Sequence, residues 1–541
     1  MPVFITVREN MTENKYDTVV VGGGIAGLTA ATYLSRAGGK VLLIEKNNVC
    51  GGLVNTFCRN GFCYDAGVRA LLDAGIIFTM LNDLGIRLDV VKSPVSVGIG
   101  NKIINIKDTG SLSDYRNLLV KFYPDDEKDI DELVRIIRKI MKHMDVLYGI
   151  ENPVFKDLVH EPGFILKKIL PWFPRFLFTV GKINRMKTPV EEYLKNFIKN
   201  PSLRDIISQH FFKNTPSFFA LSYFSLYLDY FYPKGGVGRL AEVIHDKLLS
   251  LGGEIRTNTL ITEVTPSEKL VKDSNNIIYR YNNLVWAADL KTLYRIIEKG
   301  NLPSETVKSI EETKEKMLSC RGGDSVFTLF LEVDAPPEAF AEIAHGHFFY
   351  TPSGQGLGET HRKELSDLLA RSVDLKKEEI LSWLGRFTGL NTYEISIPAL
   401  KDPAMAPEGK TGVIISLLAE YDLFRKVQEA GWLEEFTNEL ESRILKVISE
   451  TVYPFLSDKV ISRFSFSPLS IENRVGSSEG GITGWAFTDS MPVINKIQIA
   501  DRAVLTPIPS VYQAGQWVYS PAGVPMSILT GKLAADRILK R

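Results

Sequence analysis

Cysteine is scarce in this sequence, with four residues in a chain of 541. So few cysteines argue against a secreted scaffold that is held together by disulfides. The start of the chain also lacks the basic and apolar segments of a secretory signal, and Met1 to Asn14 form a polar leader instead. We therefore expect a protein of the reducing cytoplasm.

Long apolar runs, an excess of charge and metal-binding patterns are missing as well. No stretch of about 18 uncharged apolar residues is present, which predicts no membrane-spanning helix. Lys plus Arg and Asp plus Glu number 64 each, so no overall field would recruit nucleic acid, and we expect no nucleic-acid partner. The histidines follow no spacing that is typical of a metal site, and we predict none.

Two of the cysteines flank a turn signal. Asn60–Gly61 favours a two-residue hairpin turn, which would place Cys58 and Cys63 opposite each other on two strands. Neither a C-x-x-C spacing nor a nearby histidine supports a metal site here. We interpret the pair as half-buried thiols of a β-hairpin.

A glycine motif lies near the start of the chain. An apolar, β-branched run ends at Val21, glycines follow at positions 22, 24 and 27, and helical periodicity begins at Ile25. In this context Gly22 permits a tight turn, Gly24 lets amides approach a pyrophosphate, and Gly27 allows close packing of the helix. The helix N-terminus would stabilise the anion.

A second strand supports the same interpretation. Residues 40–44 are apolar and β-branched, and the run ends at Glu45, just over twenty residues after Gly22. A carboxylate at this position suits hydrogen bonds from the hydroxyls of a ribose. Strand, glycine turn, helix, strand and acid together predict a dinucleotide-binding βαβ unit.

The next segments carry a family resemblance. Gly51–Gly52–Leu53 follows Glu45, and a run from Tyr64 to Arg69 follows the hairpin. This arrangement resembles the flavoprotein amine oxidase and phytoene desaturase superfamily, in which a glycine pair follows the acid and an acid-x-Gly turn passes near the flavin. The resemblance implies that the dinucleotide is FAD. Because Leu53 stands where many relatives have a basic residue, Lys46 or Arg69 would supply positive charge instead.

Three later segments, 232–240, 284–289 and 396–409, are similar to the branch of phytoene desaturases, carotenoid isomerases and retinol saturases. In that branch a glycine turn returns the chain to the FAD domain. The strand after the next helix then brings backbone groups to the adenine, and Val264 matches that place. The resemblance covers nearly the whole chain from Tyr16.

The resemblance implies an α/β fold, in which a Rossmann-like FAD-binding domain with the G-x-G-x-x-G βαβ unit is interleaved with an α+β substrate domain. We assign residues 15–100, 232–300 and 500–541 to the FAD-binding domain, and residues 101–231 and 301–499 to the substrate domain. The predicted cofactor-binding residues are Gly22, Gly24, Ile25, Ala26, Gly27, Glu45, Lys46, Gly51, Gly52, Leu53, Gly67, Val68, Arg69, Val264, Gly515, Gln516, Gly523, Val524 and Pro525.

The stretch 511–525 reads as a last strand, a glycine turn and the start of a helix. The resemblance implies that this helix begins at the flavin, so that two helix N-termini from opposite ends of the chain address one cofactor. Gln516 stands where the family usually has an acid, and its amide can bond the cofactor without repelling the phosphates.

A second strand–GxGxxG–helix unit is absent, because the glycines at 354, 356 and 358 have the wrong spacing. Dedicated binding of NADPH is therefore disfavoured. We expect an external electron acceptor or donor, which would be a quinone, oxygen or a small redox protein.

A segment in the middle of the chain has the composition of a membrane-surface helix. Residues 162–187 interleave apolar and aromatic side chains with six basic and no acidic residues, which is typical of a helix on a membrane surface. The same pattern fits a kinked helix pair that covers the core of the substrate domain, and both interpretations stay open.

Ten aromatic residues between Phe211 and Tyr232 would line a channel for an extended hydrocarbon or form an ordinary aromatic core. We expect a cytoplasmic location, with or without peripheral membrane contact.

With the resemblance, these features predict an FAD-dependent oxidoreductase that acts on C–C or C=C bonds of a polyisoprenoid or other polyene lipid, as a desaturase, saturase or isomerase. Arg69, Tyr64, Asp229 and Tyr230 are candidates for proton transfer, and each is also a candidate structural residue. Two alternatives are an amine-oxidase-type flavoenzyme with a polar substrate, and a non-catalytic protein that binds or escorts prenyl lipids.

Overall fold

The computed structural model describes residues 15–158, 160–371, 376–488 and 490–540. The predicted polar leader, Met1 to Asn14, lies outside the described residues. The strands are β1 (Lys15–Val21), β2 (Val41–Ile44), β3 (Thr56–Arg59), β4 (Phe62–Asp65), β5 (Leu71–Leu72), β6 (Val90–Lys92), β7 (Val95–Ile99), β8 (Lys102–Ile106), β9 (Tyr230–Pro233), β10 (Glu254–Arg256), β11 (Ile261–Thr265), β12 (Leu270–Asp273), β13 (Ile278–Trp286), β14 (Ser325–Val333), β15 (His347–Thr351), β16 (Tyr393–Ser396), β17 (Thr411–Ala419), β18 (Val460–Phe466) and β19 (Val511–Gln513).

The α-helices are α1 (Ile25–Arg36), α2 (Ile77–Asp83), α3 (Ser111–Phe122), α4 (Glu127–Tyr148), α5 (Pro162–Phe164), α6 (Leu170–Ile183), α7 (Val190–Lys195), α8 (Pro201–Ser208), α9 (Ser217–Leu221), α10 (Tyr223–Tyr227), α11 (Arg239–Ser250), α12 (Leu290–Ile296), α13 (Ser304–Ser319), α14 (Pro337–Ala341), α15 (Gly358–Ala370), α16 (Lys377–Leu390), α17 (Tyr421–Glu429), α18 (Leu433–Thr451), α19 (Leu456–Lys459), α20 (Pro468–Val475) and α21 (Val524–Leu539). A π-helical turn, Ile165–Ile169, joins α5 to α6.

The first sheet has seven strands in the order β10-β2-β1-β13-β12-β11, and β19 also pairs with β13. β10, β2, β1, β13 and β19 are parallel to one another. β12 pairs antiparallel with β13 on one side and with β11 on the other. β2 and the last three residues of β1 are continuous apolar runs without exposed residues, as parallel strands covered on both faces require. The arrangement confirms the predicted α/β fold class.

The first and last helices of this sheet pack against each other. α1 contacts both α21 and α11. A Cβ added to Gly531 of α21 would lie 2.4 Å from the carbonyl oxygen of Ala26, so glycine permits this close approach. The contact places the beginnings of α1 and α21 at the same edge of the sheet, where β1, β13 and β19 end.

The second sheet has the order β18-β14-β17-β16-β15-β7-β8. Its strands alternate between two faces. One face is apolar and forms a core with α16, α17 and α18, to which residues such as Phe327, Val413 and Tyr393 contribute. The opposite face carries the polar side chains that are described below. β7 belongs to residues 15–100, which we assigned to the FAD-binding domain, but it pairs with β15 in this second sheet. The division of the chain into two domains stays a prediction.

Candidate active site

The glycine turn after β1 borders a large cavity. Gly22 has a left-handed backbone with φ +107°, and a Cβ added there would lie 2.7 Å from the carbonyl oxygen of Ala287. A Cβ on Gly24 would meet nothing within 4 Å, because Gly24 faces the cavity. α1 begins at Ile25, and the first amides of a helix have no partner inside it. The turn therefore offers free amides and a helix N-terminus to an anion.

Glu45 follows β2 beside this turn. Its Oε2 accepts a hydrogen bond from the Gly23 amide at 2.7 Å, and its Oε1 accepts one from the Asn47 amide at 2.9 Å. The carboxylate is thus fixed, and it keeps lone pairs for hydroxyl donors. Lys46 also lines the cavity, but its ammonium group donates to the carbonyl oxygen of Asn473 at 3.1 Å. Burial lowers the pKa of Lys46.

The predicted glycine pair and the acid-x-Gly turn lie along one wall of the cavity. The amide of Gly51 donates to the carbonyl oxygen of Gly23 at 2.8 Å. A Cβ on Gly67 would lie 2.2 Å from the carbonyl oxygen of Leu53, to which the Val68 amide donates at 3.2 Å. This close backbone contact brings the two segments together.

The C-terminal stretch reaches the same cavity. β19 lies beside β13, the Gly515 amide donates to the Thr530 hydroxyl at 3.0 Å, and α21 begins at Val524. The amide nitrogen of Gln516 donates to Ser477 Oγ at 3.4 Å. Two helix N-termini from opposite ends of the chain therefore face one cavity, as an anionic or electron-rich ligand requires.

The cavity has a volume of about 1110 Å³. The predicted residues that line it are Gly22, Gly24, Ile25, Ala26, Glu45, Lys46, Gly51, Gly52, Leu53, Gly67, Val68, Arg69, Tyr230, Gly515, Gln516, Gly523, Val524 and Pro525. Most of the motif residues thus meet in one place, although they come from both ends of the chain.

Gly27 and Val264 lie outside the cavity wall. A Cβ on Gly27 would lie 1.9 Å from the carbonyl oxygen of Gly22, so this glycine permits the predicted close packing of the helix. Val264 is buried in β11, and its carbonyl oxygen accepts the amide of Glu298 at 2.8 Å. The cavity is lined by residues 259–261 at the start of β11 instead. Val264 thus lies just beyond the part of β11 that lines the cavity, and its backbone contact with the ligand stays a prediction.

Two of the residues considered for proton transfer also lie elsewhere. Tyr64 is fully buried among Phe57, Phe330 and Phe464, and its hydroxyl donates to the carbonyl oxygen of Leu331 at 3.0 Å. Asp229 is partly exposed and pairs with Lys92 at 3.7 Å. Neither lines the cavity, so both are structural or surface residues.

Arg69 is buried in the cavity wall. Its guanidinium group donates to the carbonyl oxygen of Asp65 and, at 3.1 Å, to Ser416 Oγ. Within the described part of the chain no carboxylate lies within ion-pair distance of it. Lys401 donates to the carbonyl oxygen of Arg69 at 3.0 Å. Burial lowers the pKa of Arg69, against the opposing charges of Glu394 and Asp65.

The sequence analysis missed a polar cluster on the second sheet. His347, Glu394 and Ser416 line the cavity from β15, β16 and β17. His347 Nε2 lies 2.8 Å from Glu394 Oε1. Ser416 interrupts the apolar run of β17, and Glu394 is a charged residue within β16, whereas His347 is the first residue of β15. The polar residues within β16 and β17 were the available signal. Burial opposes the charge on Glu394, but the hydrogen bond from His347 and the charges of Arg69 and Lys401 hold its pKa below the ordinary value.

The rest of the cavity is largely apolar. Val180, Ile183 and Met186 line it from α6 and the segment that follows, and Phe218, Phe219 and Tyr223 line it from α9 and α10. This chamber opens the site to a hydrophobic ligand. The predicted aromatic lining is thus partly present, since Tyr232 and Phe224 are buried outside it.

The segment 162–187 carries an exposed apolar surface. Leu166 and Phe178 are 67% and 63% exposed, and Leu170, Phe173 and Leu177 are exposed as well. Among the described residues, no helix has the length and apolar character that crossing a bilayer demands.

The hairpin prediction is partly wrong. Asn60 and Gly61 have φ values of 53° and 84°, and Cys58 pairs with Cys63 across the strands, as predicted. The two residues form a disulfide rather than a pair of thiols. The Asn60–Gly61 pair predicted the hairpin and the pairing of the two cysteines, but it carries no information about their oxidation state.

Sequence relatives match nearly the whole length of the chain. An all-trans-retinol 13,14-reductase of Danio rerio is 23% identical, with 92% of this chain and 82% of the relative covered. A 4,4'-diapolycopene oxygenase of Methylomonas sp is 23% identical over 96% of this chain and 97% of the relative. Prolycopene isomerase 1 (chloroplastic) of an Oncidium hybrid cultivar is 23% identical over 97% and 84%.

Solved structures share the fold. A putrescine oxidase variant superposes with a TM-score of 0.61 at 14% identity, covering 97% of this chain and 99% of its own. Reduced UDP-galactopyranose mutase superposes with a TM-score of 0.57 at 14% identity, covering 97% and 94%. At this identity the likeness concerns the fold alone.

A family model described as flavin containing amine oxidoreductase matches residues 25–539. This match begins with α1 and spans the rest of both sheets after β1, as well as α21, and the resemblance predicted from the motifs is confirmed. The chain therefore belongs to the flavin-containing amine oxidoreductase family and is an FAD-dependent oxidoreductase.

Proposed function

We propose that this oxidoreductase makes, removes or isomerises C=C bonds in a polyene or polyisoprenoid lipid. One observation carries the proposal: a single cavity joins the glycine turn to a chamber lined by apolar and aromatic side chains. Each methylene that leaves water in such a chamber contributes about 0.8 kcal/mol to binding. An extended hydrocarbon gains most from this environment.

The residues present fit FAD. The amides at Gly24, Ile25 and Ala26 would hold its pyrophosphate, and Glu45 would accept hydrogen bonds from its ribose. The start of α21, at Val524, would lie against the flavin ring. When bound, FAD supplies a two-electron acceptor or donor at carbon. The protein's own task is to orient the lipid and exclude water.

Relatives support a polyene substrate. Their names refer to retinol, diapolycopene and prolycopene, which are all polyenes, and they describe a reductase, an oxygenase and an isomerase. The substrate class is therefore more constant among them than the reaction. We therefore propose a polyene substrate for this chain, and an experiment must identify whether the reaction is a reduction, an oxidation or an isomerisation.

We further propose that the segment 162–187 docks on an anionic phospholipid surface and passes the lipid to the cavity. Lys167, Lys168 and Arg175 are exposed beside the exposed apolar residues, and no ion pair of theirs occurs among the described residues. Val180 and Ile183 belong to the same helix and line the cavity. One helix thus joins a basic, apolar surface to the chamber.

The electron partner would be external. We propose a quinone, oxygen or a redox protein, because the sequence carries one G-x-G-x-x-G unit and FAD would occupy it. Stopped-flow reoxidation of the reduced protein by each class of acceptor identifies the partner. Rapid and saturable oxidation by NADP⁺ would contradict the proposal.

The test compares polyenes with amines. Oxidised or reduced protein is mixed without oxygen with a panel of retinoids and carotenes, and with putrescine and aromatic amines. We expect a polyene to change in mass by two hydrogens, or in the geometry of a double bond. Flavin reduction by amines alone would favour the amine-oxidase alternative, and a colourless purified protein would favour the lipid-escort alternative.

A further inference from the structure

A row of polar side chains crosses the face of the second sheet that borders the cavity. Thr328 of β14 lies directly opposite Ser416 of β17, and Ser416 lies directly opposite Glu394 of β16. His347 of β15 lies diagonally beside Glu394, since Phe349 is opposite Glu394 and two residues along. Ser396, which is directly opposite His347, is also polar and buried, whereas Phe349, Ile414 and Val326 beside the row are apolar. The row is therefore a polar strip in a largely apolar wall.

The ring of His347 is tightly held. It stacks on Tyr230 with centroids 5.3 Å apart, and on Phe349 with centroids 5.2 Å apart. Its Nε2 lies 2.8 Å from Glu394 Oε1, whereas its Nδ1 is buried without a hydrogen-bond partner. A buried nitrogen without a partner disfavours the doubly protonated ring. The single ring proton therefore lies on Nε2, which donates a hydrogen bond to the Glu394 carboxylate.

Glu394 differs from the other acids in the cavity wall. Both oxygens of Glu45 accept hydrogen bonds from amides, and both oxygens of Asp289 do the same. Glu192 is exposed at the protein surface. Glu394 lies inside the cavity, and His347 contacts its Oε1. Within the described ranges, no hydrogen-bond partner contacts its other oxygen, Oε2. Its side chain is 35% accessible, and it lines the cavity.

The surroundings favour the ionised carboxylate. Arg69 and Lys401 contribute positive charge, and Asp65, the other acid near them, is bound by donors of its own. The titratable or charged groups that act electrostatically on Glu394 or are acted on by it are His347, Arg69, Lys401, His210, Tyr223, Tyr227 and Tyr230. Burial lowers the pKa of His347, and Lys401 and Arg69 act in the same direction.

We propose that Glu394 is the catalytic base of the reaction and that His347 positions it. The inference rests on the proposed function. In the oxidising direction, a C–H bond of the lipid breaks and its proton moves to Glu394 Oε2. The electron pair of that bond forms the new C=C bond, while the adjacent carbon loses a hydride, with its electron pair, to the two-electron flavin oxidant. In the reducing direction the protonated Glu394 returns the proton to carbon.

The test uses the flavin-loaded full chain and Glu394→Gln, which keeps the shape of the side chain and its contact with His347. We expect flavin content and lipid affinity within about twofold of the wild type, and a single-turnover rate at least about 100-fold lower. Glu394→Asp keeps the charge but withdraws it by one methylene, so its rate should fall between the two. Glu332→Gln, a buried glutamate of β14 outside the cavity, is the matched control and should keep the wild-type rate.

A second readout needs no turnover. The infrared carboxylate signal of Glu394 is obtained by subtracting the spectrum of a Glu394→Gln protein from that of its parent, for the wild type and for His347→Phe. It should titrate at a higher pH in His347→Phe, because that variant removes the hydrogen bond from Nε2. An unchanged titration would overturn the positioning role of His347. An active wild type together with an equally active Glu394→Gln would overturn the role of Glu394 alone. A wild type that converts no polyene would overturn the proposed function itself.

Discussion

The His347 imidazole donates a hydrogen bond to the Glu394 carboxylate across two neighbouring strands, with Nε2 2.8 Å from Oε1. Both side chains lie on the sheet face that borders the cavity, and the glycine turn and the start of α21 border the same cavity. The site thus combines a cradle for a dinucleotide, an apolar chamber and a hydrogen-bonded histidine–glutamate pair in the cavity wall.

The first prediction concerns the cradle. Gly24→Ala should weaken FAD binding by about tenfold or more, which corresponds to about 1.4 kcal/mol, because the new methyl group occupies space beside the pyrophosphate. The free energy of unfolding of the FAD-free protein should change by less than about 0.5 kcal/mol, since no atom lies within 4 Å of the added Cβ. Isothermal titration with FAD and urea unfolding measure the two quantities.

Gly389→Ala is the control for this variant. Gly389 lies in α16 away from the cavity, and an added Cβ there also meets nothing within 4 Å. FAD affinity should stay unchanged in this protein. Equal FAD affinity in both variants would show that Gly24 does not face the cofactor.

The second prediction separates a structural tyrosine from the catalytic site. Tyr64→Phe should lower the free energy of unfolding by about 1 kcal/mol, because the buried hydroxyl loses its bond to the carbonyl oxygen of Leu331. The turnover number should not change. A fall in turnover without a loss of stability would return Tyr64 to the list of catalytic candidates.

The sequence revealed those parts of the site that depend on local backbone geometry. Gly22, Gly24 and Gly27 were predictable because a tight turn, an open face and a close helix contact each impose a requirement on one residue. Glu45 was predictable because it follows β2 at a fixed distance from that turn. Such requirements do not depend on the rest of the fold.

The parts that depend on strand register were not predictable. Glu394, His347 and Ser416 meet only because three strands pair in one register, and no local pattern contains that information. The part of β11 that lines the cavity was not predictable for a similar reason. The pairing of β11 shifts between Ile261 and Glu263, and the cavity meets only the start of that strand.

The third prediction concerns the membrane surface. Reversal of Lys167, Lys168 and Arg175 to Glu should weaken binding to anionic vesicles by at least about 100-fold, because each cation near such a surface contributes about 1 kcal/mol. Sedimentation with vesicles of phosphatidylserine and phosphatidylcholine measures the affinity. The activity on lipid dispersed in detergent should be retained.

A matched control reverses Lys308, Lys314 and Lys316 to Glu on α13, which changes the net charge equally. Vesicle binding by this protein should remain near the wild-type value. If both variants lose binding to the same extent, the attraction is general and the segment 162–187 is not a docking surface.

The fourth prediction concerns pH. Burial lowers the pKa of Lys401 from 10.5 to about 8 in the folded protein. Between these two pH values the unfolded chain binds more protons than the folded chain, so the free energy of unfolding rises with pH. The rise that Lys401 contributes is at most about 3.5 kcal/mol, since one pH unit corresponds to about 1.4 kcal/mol.

Lys401→Met removes this titration. Urea unfolding of both proteins from pH 7 to pH 10.5 should show the wild type gaining stability relative to the variant as the pH rises. Other titrating groups cancel in the difference. A difference that is constant over this range would mean that Lys401 has an ordinary pKa in the folded protein.

The central claim is that FAD in this cavity exchanges electrons with a polyene in the apolar chamber. The most direct test mixes the purified flavin-loaded protein with single polyenes in the absence of oxygen, and follows the flavin absorbance and the mass of the lipid in one experiment. We predict that the flavin changes redox state as one lipid gains or loses two hydrogens, or that a double bond changes geometry. A flavin that responds to amines and to no polyene would contradict the account.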